Sequence, residues 1–264
     1  MKRRKPYTLL LALMCIFAVV TTSAFAYIVW QNGKRLNNRI EKSGKPYEIC
    51  FDESYSTDFK EVLLESDYVN VTVVNSPDAK TRLQIKGNKR NVKVLNAGGR
   101  LYVKAKTKDK TKFGVSGENT QRAEILIRLP EAYGGSLYFK SAYGKLTAAS
   151  FPKATFTTDT EHGSLNITSL AGLKSKAEYA DITVGEIKKT VDVETECGSV
   201  KVNTLSLNED GRIECELGSI NIGRADNVLI IAKTDLGTTK IRPNPSEFVA
   251  ALNIASDSGT VTIN

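Results

Sequence analysis

The second half of the chain alternates between apolar and polar residues with a period of two. After Gly198 the sequence reads SVKV (199–202), and after Gly218 it reads SINI (219–222). Alternation of this kind, rich in Val, Ile and Thr, is typical of β-strands that bury one face. The part of the chain after the N-terminal region shows no helical period. We therefore expect an all-β domain.

The alternating sequence motif recurs at a nearly constant spacing. Aligned on one position, its copies are YGKLTA (Gly144), HGSLNI (Gly163), YADITV (Ala180), CGSVKV (Gly198), LGSINI (Gly218), LGTTKI (Gly237) and SGTVTI (Gly259). The steps between these positions are 19, 17, 18, 20, 19 and 22 residues. A repeat of about 19 residues predicts a single-stranded β-solenoid, in which each unit buries its apolar face by stacking on its neighbours.

Each unit supplies two short strands that meet at the aligned position. A glycine there indicates a bend that a Cβ atom would obstruct. Ala180 occupies this place in one unit and is expected to make that corner less bent. The predicted structural turn glycines are Gly144, Gly163, Gly198, Gly218, Gly237 and Gly259.

Upstream segments follow the same strand pattern less regularly. Residues 66–73, 98–105 and 123–130 are strand-like, and the last of these ends at a proline, which cannot continue a hydrogen-bonded ladder. We expect residues 61–264 to form one β-solenoid repeat domain, preceded by a linker and first strand at 31–60.

The N-terminus combines a basic cluster with a long apolar segment. Residues 1–6 contain four basic residues, and no charge occurs from Tyr7 to Trp30. About 20 apolar residues span a bilayer, and basic flanks remain cytoplasmic. The pattern predicts a cytoplasmic stub (1–6) and one transmembrane helix acting as a signal-anchor (7–30), with the C-terminal domain extracytoplasmic. Cleavage after Ala26 at an A-x-A site, giving a secreted protein, is the alternative.

The net charge of the chain argues against one class of partner. Of 37 basic residues, four lie in the stub, which leaves 33 against 29 acidic residues, an excess of four. This mild excess is not the basic footprint of a nucleic-acid-binding protein. We expect no nucleic-acid partner.

Cysteine usage indicates neither a disulfide nor a metal site. Cys15 lies in the predicted membrane segment, and Cys50, Cys197 and Cys215 lie outside it. The slots of Cys197 and Cys215 are expected to face the solenoid interior, where both would be small buried hydrophobes. They are expected to be diagonal neighbours, too far apart for a disulfide.

One side-chain pattern stands out as candidate chemistry. Two residues before the aligned position, the repeat places an acid, and we call these six residues the acidic row: Glu161, Glu178, Glu196, Glu216, Asp235 and Asp257. Stacked units would space the carboxylates about 4.8 Å apart. A solvated edge is the simplest interpretation, and a row that collects Ca²⁺ is a second. Glycosidases also use a pair of carboxylates. A catalytic pair occurs at one place in a protein, however, whereas this row repeats from unit to unit, so the row does not indicate a catalytic pair.

The sequence supplies no catalytic set. His162 is the single histidine, and it occupies a slot that Tyr143, Tyr179 and Cys197 fill in other units. We interpret it as a variable repeat position. With one histidine and this cysteine spacing, neither a second catalytic triad nor a zinc site is available. We expect no cofactor, apart from the Ca²⁺ hypothesis, and no enzymatic activity.

A family resemblance follows from the order of these motifs. The run AEILIRLPEAYGGSLYFKSAYGKLTA, then units of the form T-E-x-G-S-[VI]-x-[VI], and the opening FKEVLLESDYVNVTVVNSPDAKTRLQIKG resemble the putative-adhesin β-strand-repeat family. The resemblance covers about Val62 to Asn264. It implies a toast-rack fold in a bacterial envelope protein, similar to LiaG-like membrane proteins near envelope-stress systems, with no known catalytic residues.

Three functions remain open from the sequence. The first is a membrane-anchored, non-enzymatic binding or scaffold module that contacts a cell-envelope protein or wall polymer, with the stress link implied by the resemblance alone. The second is a surface adhesin, which the short reach of residues 31–60 argues against. The third is a polysaccharide-acting enzyme on a β-solenoid. Residues 108–121 and 242–248 are the loops expected to vary and to make contacts.

Overall fold

The computed structural model describes residues 48–56, 58–87, 91–105, 123–242, 245 and 247–264. The predicted stub, the predicted signal-anchor and the loop 108–121 lie outside these residues, as does most of the predicted linker. Within the described residues, no helix has the length and apolar character needed to cross a membrane. The strands are β1 (Ile49–Tyr55), β2 (Glu61–Ser76), β3 (Thr81–Lys86), β4 (Val92–Ala97), β5 (Arg100–Ala105), β6 (Ala123–Pro130), β7 (Ser136–Ser206), β8 (Gly211–Asp226), β9 (Val228–Ile241) and β10 (Ala250–Ile263).

The main body of the domain is a parallel stack of bent rungs. β2 pairs in parallel with the beginning of β7, and β8 pairs in parallel with its end. Between those two pairings β7 passes through four corners, at Gly144, Gly163, Ala180 and Gly198, so this one long strand forms four successive rungs. The all-β fold with repeated stacked units agrees with the prediction from the alternating pattern.

The N-terminal end of the domain departs from a simple solenoid. β5 and β6 together form the layer beneath β2, and both run parallel to it. β4 then pairs with β5, β3 with β6 and β1 with β3, and all three of these pairings are antiparallel. A coil of short hairpin-like strands therefore closes this end. The sequence pattern here is less regular because these strands are not copies of the repeat.

The last two rungs are not stacked in the order of the sequence. β10 lies between β8 and β9, and it is parallel to both. β9, which follows β8 in the sequence, therefore lies two positions away from β8 in the stack. β10, which comes last in the sequence, occupies the position between them. The edge of the sheet at this end is β9 and not the C-terminal strand.

The core is a column of inward-facing apolar side chains that runs through the stack. Ile220 and Ile222 of β8 are fully buried, and Val261 and Ile263 of β10 lie beside them. Phe139, Phe151 and Phe156 are the largest fully buried side chains of the column. Burying one such side chain contributes about 1.5–3 kcal/mol, so the rungs are held mainly by packing against each other.

Candidate functional site

The chain turns a corner at the aligned position of each repeat. In the rung of Gly218, Cys215 and Ile220 are both fully buried although they are five residues apart. Strict alternation would place residues at an odd separation on opposite faces. The corner therefore contains one extra residue that breaks the alternation. As a result, the side chains of the two residues before the glycine both point outward.

The six predicted turn glycines lie above one another in this corner. A Cβ on Gly218 would lie 1.7 Å from the carbonyl oxygen of Gly198, and one on Gly163 would lie 2.0 Å from that of Gly144. For Gly259 the distance to the Gly218 oxygen would be 1.5 Å. Most of these glycines have no unusual backbone angle, so the close approach of the preceding rung is what requires them.

The acidic row runs along the outside of the same corner. All six carboxylate residues are exposed. The register places Glu196 beside Glu216, then Asp257, and then Asp235, because β10 precedes β9 in the stack. Asp67 of β2 extends the row at its other end, and Ala142 leaves one gap beside it.

A neighbouring row shows how the fold neutralises charge elsewhere. Two residues upstream of the acidic row, the rungs from Lys104 to Glu194 alternate in sign and form ion pairs, and Glu214 on the next rung pairs with Arg212 of its own strand. Lys104 contacts Glu65 at 2.5 Å, Lys140 contacts Asp159 at 2.7 Å, and Lys176 contacts Glu194 at 3.2 Å. In the acidic row, by contrast, the described ion pairs include a single member, Asp235, which lies 3.1 Å from Lys233.

A row of aromatic rings lies directly beside the acidic row, one residue before each corner. We call Tyr68, Tyr143, His162 and Tyr179 the ring row. Their ring centroids are 4.9, 4.6 and 4.8 Å apart in that order, with interplanar angles of 4°, 18° and 17°. The rings are thus stacked at the spacing of the strands. Their edges face solvent, since Tyr143 is 38% exposed and Tyr179 is 45% exposed.

The ring row continues towards the C-terminal end as side chains that are apolar except for one serine. The next three positions are Cys197, Leu217 and Ser258, followed by Leu236 on the last rung. Leu217 is 55% exposed and Leu236 is 78% exposed. Cys197 is half-buried on this surface, so the prediction that its slot faces the interior is wrong. The shift in alternation at the corner is the reason.

The two rows influence each other electrostatically. Burial first, and then the carboxylates of Glu161 and Glu178, raise the pKa of the Tyr143 hydroxyl. Burial and the carboxylates of Glu196 and Glu216 likewise raise the pKa of the Cys197 thiol. Both groups therefore remain neutral at pH 7. We call the acidic row and the ring row together the corner ridge.

Cys215 faces the interior, as predicted from the sequence. Its Sγ atom lies 3.5 Å from the carbonyl oxygen of Gly198, and the side chain is fully buried. Burial, then the neighbouring Cys197 and Glu216, raise its pKa to about 11. Cys197 and Cys215 are free thiols.

Two other arrangements bear on the alternative functions. Among the residues that the structure describes, no three His, Cys, Asp or Glu side chains gather closely enough to hold one metal ion. A groove of about 430 Å³ crosses the outer face of β3, β6, β2 and β7. Its lining includes one carboxylate, Glu124, which lies 3.6 Å from Lys86. This groove does not present the two carboxylates that most glycosidases use.

The stacked rungs and their shared corner define a toast-rack type of β-repeat domain. The family model described as Toastrack DUF4097 matches residues 59–264, so the chain belongs to this family. The resemblance drawn from the sequence motifs is thereby confirmed. The comparison with curated proteins gives no significant match.

Solved structures are similar to this chain at low sequence identity. A "putative adhesin" from Bacteroides fragilis NCTC 9343 is 16% identical with a TM-score of 0.57, over 82% of this chain and 97% of that one. A "putative lipid binding protein" from Parabacteroides distasonis ATCC 8503 is 14% identical with a TM-score of 0.40, over 81% of this chain and 96% of that one. At such identities the first likeness shows the fold alone.

Sequence reasoning found one half of the corner ridge and missed the other. The acidic row was visible because its members share a charge at a fixed place in the repeat. His162 was interpreted as a variable position, whereas it stacks between Tyr143 and Tyr179. Three rings in consecutive units were the available signal. Tyr68 could not be found, because its rung lies far from the repeat in sequence and has Val69 at the corner.

Proposed function

We propose that this chain is a membrane-anchored, non-enzymatic binding module on the extracytoplasmic side of a bacterial membrane. The basic stub and the uncharged segment 7–30 support the anchor, and family membership supports the binding role. The B. fragilis relative, named a "putative adhesin", supports the same class of function. The partner is a cell-envelope protein or a wall polymer.

The observation that carries this proposal is the corner ridge. A line of carboxylates at about 4.8 Å spacing repels itself unless counter-charges are supplied. The adjacent ion-paired row receives its counter-charges from within the chain, while five of the six acidic-row residues have no described ion pair. We infer that an extended partner carrying positive groups supplies them, and that ring edges and exposed leucines contribute apolar contact.

Co-sedimentation tests the proposal. The full chain in detergent micelles is mixed separately with purified cell-wall material and with washed membranes stripped of the chain. Binding to at least one fraction that weakens as salt is raised is expected, because exposed charge pairs are screened. Absence of binding to both would contradict a direct envelope-binding role.

The sequence-based Ca²⁺ hypothesis remains a proposal of its own. Adjacent carboxylates of the acidic row are oxygen ligands of the kind that Ca²⁺ prefers. Calorimetric titration with CaCl₂ should then release or absorb heat, and the melting temperature should rise by linkage. Titration that changes neither would contradict it.

The link to envelope stress rests on the family resemblance. Deletion of the gene is expected to increase sensitivity to detergents and to antibiotics that act on the cell wall. Restoration by the intact gene is the control. Unchanged sensitivity would contradict the stress role without bearing on binding. Fractionation of cells and the size of the mature chain distinguish an uncleaved anchor from cleavage after Ala26.

A further inference from the structure

We propose that the edge strand β9 is the contact between two copies of this chain, paired antiparallel about a twofold axis that passes through the corner at Gly237. The contact would add the missing neighbour to the last rung of each copy. The contact includes Asp235 of the acidic row, but it does not depend on the binding role proposed for the corner ridge.

The last rung leaves part of the core uncovered. Thr239 and Ile241 of β9 lie beside Val261 and Ile263 of β10, which are buried at 0% and 2% exposure. Ile241, which occupies the same inward position, is 37% exposed. Terminal units of repeat proteins normally present a polar outer face. This terminal unit instead leaves Ile241 partly uncovered at the end of the apolar column, although the apolar side chains at the start of the same strand are buried.

Exposed apolar side chains are concentrated at this end of the domain. They include Ile231 at 50%, Leu236 at 78%, Phe248 at 52% and Val249 at 69%. All four lie in β9 or in the segment that leads from it to β10. An apolar patch of this kind on an edge strand indicates a surface that another chain covers.

The two ends of the sheet differ in how they are protected. β1 is seven residues long, carries Asp52 and Glu53, and has an irregular register between Ile49 and Phe51. β4 has six residues and ends at two glycines in left-handed conformations, Gly98 and Gly99. Short, charged or irregular strands are the usual protection against edge pairing.

β9 lacks the shortness and the irregularity of these strands, although it carries Lys233, Asp235 and Lys240. It has 14 residues, contains no proline, and has no residue with positive φ. Among the described strands, it pairs with β10 alone. Because one end is protected and the other is not, head-to-tail stacking into fibres is disfavoured. A closed pair that uses the same edge twice is favoured.

The bend in β9 makes it complementary to itself. A twofold rotation about an axis through the corner places the part of β9 before Gly237 in one copy against the part of β9 after Gly237 in the other copy. The first part runs towards the corner and the second runs away from it, so the two strands are antiparallel. When Gly237 faces Thr238 of the second copy, Asp235 faces Lys240 of the second copy. Opposite charges placed across two strands stabilise the pair.

Sedimentation velocity of the full chain in detergent tests the proposal. A reversible dimer is expected, and Leu236→Glu should weaken it by about tenfold or more, because each copy would place a new carboxylate next to Asp235 near the axis, where the like charges of the two copies repel. Leu236 is 78% exposed, so the variant should fold normally. Leu217→Glu, at the same position of β8 and 55% exposed, is the matched control and should leave the dimer unchanged.

A second measurement locates the axis. In a chain without its native cysteines, oxidation should link two copies of a Thr238→Cys variant. Thr260→Cys, one rung further inside, should not link them. A chain that stays monomeric at every accessible concentration would overturn the proposal. So would a dimer that Leu95→Glu on β4 weakens and Leu236→Glu does not.

Discussion

Single residues at the corner determine whether the rungs can stack. At the corner, the glycine packs closely against a small residue that lies three positions before it in the sequence. A Cβ on Gly218 would approach the Sγ atom of Cys215 at 3.1 Å, and one on Gly144 would approach the Ser141 Oγ atom at 2.6 Å. The repeat therefore specifies two small side chains per corner.

Gly218→Ala tests this requirement. The new Cβ would lie 1.7 Å from the Gly198 oxygen, and the φ of Gly218 is +156°. We expect the free energy of unfolding to fall by about 2 kcal/mol or more, because the rungs must separate locally. Gly134→Ala is the control, since its nearest contact would be an ordinary 3.4 Å to the Lys153 side chain. Equal stability of both variants in denaturant titrations would contradict the account.

The buried thiol of Cys215 predicts a loss of stability in alkali. Its pKa is about 11 in the folded chain, whereas an unfolded cysteine titrates near 8.5. Between these values the unfolded chain loses a proton that the folded chain retains. This contribution to the free energy of unfolding is therefore present below about pH 8.5 and falls as the pH rises towards 11.

Cys215→Ala is expected to flatten the stability profile between pH 8.5 and 11, and denaturant titrations at several pH values measure it. The removal of the sulfur lowers stability at every pH, so the slope is the informative quantity. Cys197→Ala, at a half-buried thiol, is the comparison. A wild-type slope in Cys215→Ala would show that other groups cause the alkaline loss.

At the level of strands, the sequence predicted which segments form rungs but not their order. The period of about 19 residues and the alternation after each glycine located the repeat units of β7, β8, β9 and β10. The order of the strands depends on whether β9 or β10 pairs with β8. Both strands carry the same alternating pattern, so the pattern does not distinguish them. The inserted position of β10 is therefore a property of the three-dimensional fold that local pattern cannot reveal.

The N-terminal strands illustrate a second limit. The segment 123–130 was predicted as a strand with the boundaries that β6 has in the structure. Its neighbours β3 and β1 were not assigned antiparallel partners, because pairing direction depends on contacts distant in sequence. Asp52, for example, meets Arg82 at 2.8 Å across the β1–β3 pair. That contact also lowers the pKa of the Asp52 carboxyl, through its hydrogen bonds to Arg82 and Gln84.

Paired cysteines test the order of the last rungs. Asn221, Thr262 and Lys240 occupy one outward row on β8, β10 and β9. In a chain without its native cysteines, Asn221→Cys with Thr262→Cys should form a disulfide, because adjacent strands lie about 4.8 Å apart. Asn221→Cys with Lys240→Cys is the control and should not, at twice that spacing. The opposite result would indicate sequential stacking.

At the scale of the whole molecule, the fold converts a short repeat into a long linear surface. Most units contribute one carboxylate and one ring or apolar side chain, and stacking aligns them along the corner. No single unit forms a site. The corner ridge is thus suited to an extended partner rather than to a small ligand, which agrees with a binding module.

The measurement that most directly tests this account compares two variants with equal charge change in the co-sedimentation assay. Glu178→Gln, Glu196→Gln and Glu216→Gln together remove three carboxylates from adjacent rungs of the corner ridge. Glu131→Gln, Glu209→Gln and Glu247→Gln remove three exposed carboxylates elsewhere. We predict that the first variant loses most of its salt-sensitive binding to the envelope fraction and that the second retains it. Equal binding by both variants, with wild-type stability, would contradict the assignment of the corner ridge as the binding surface.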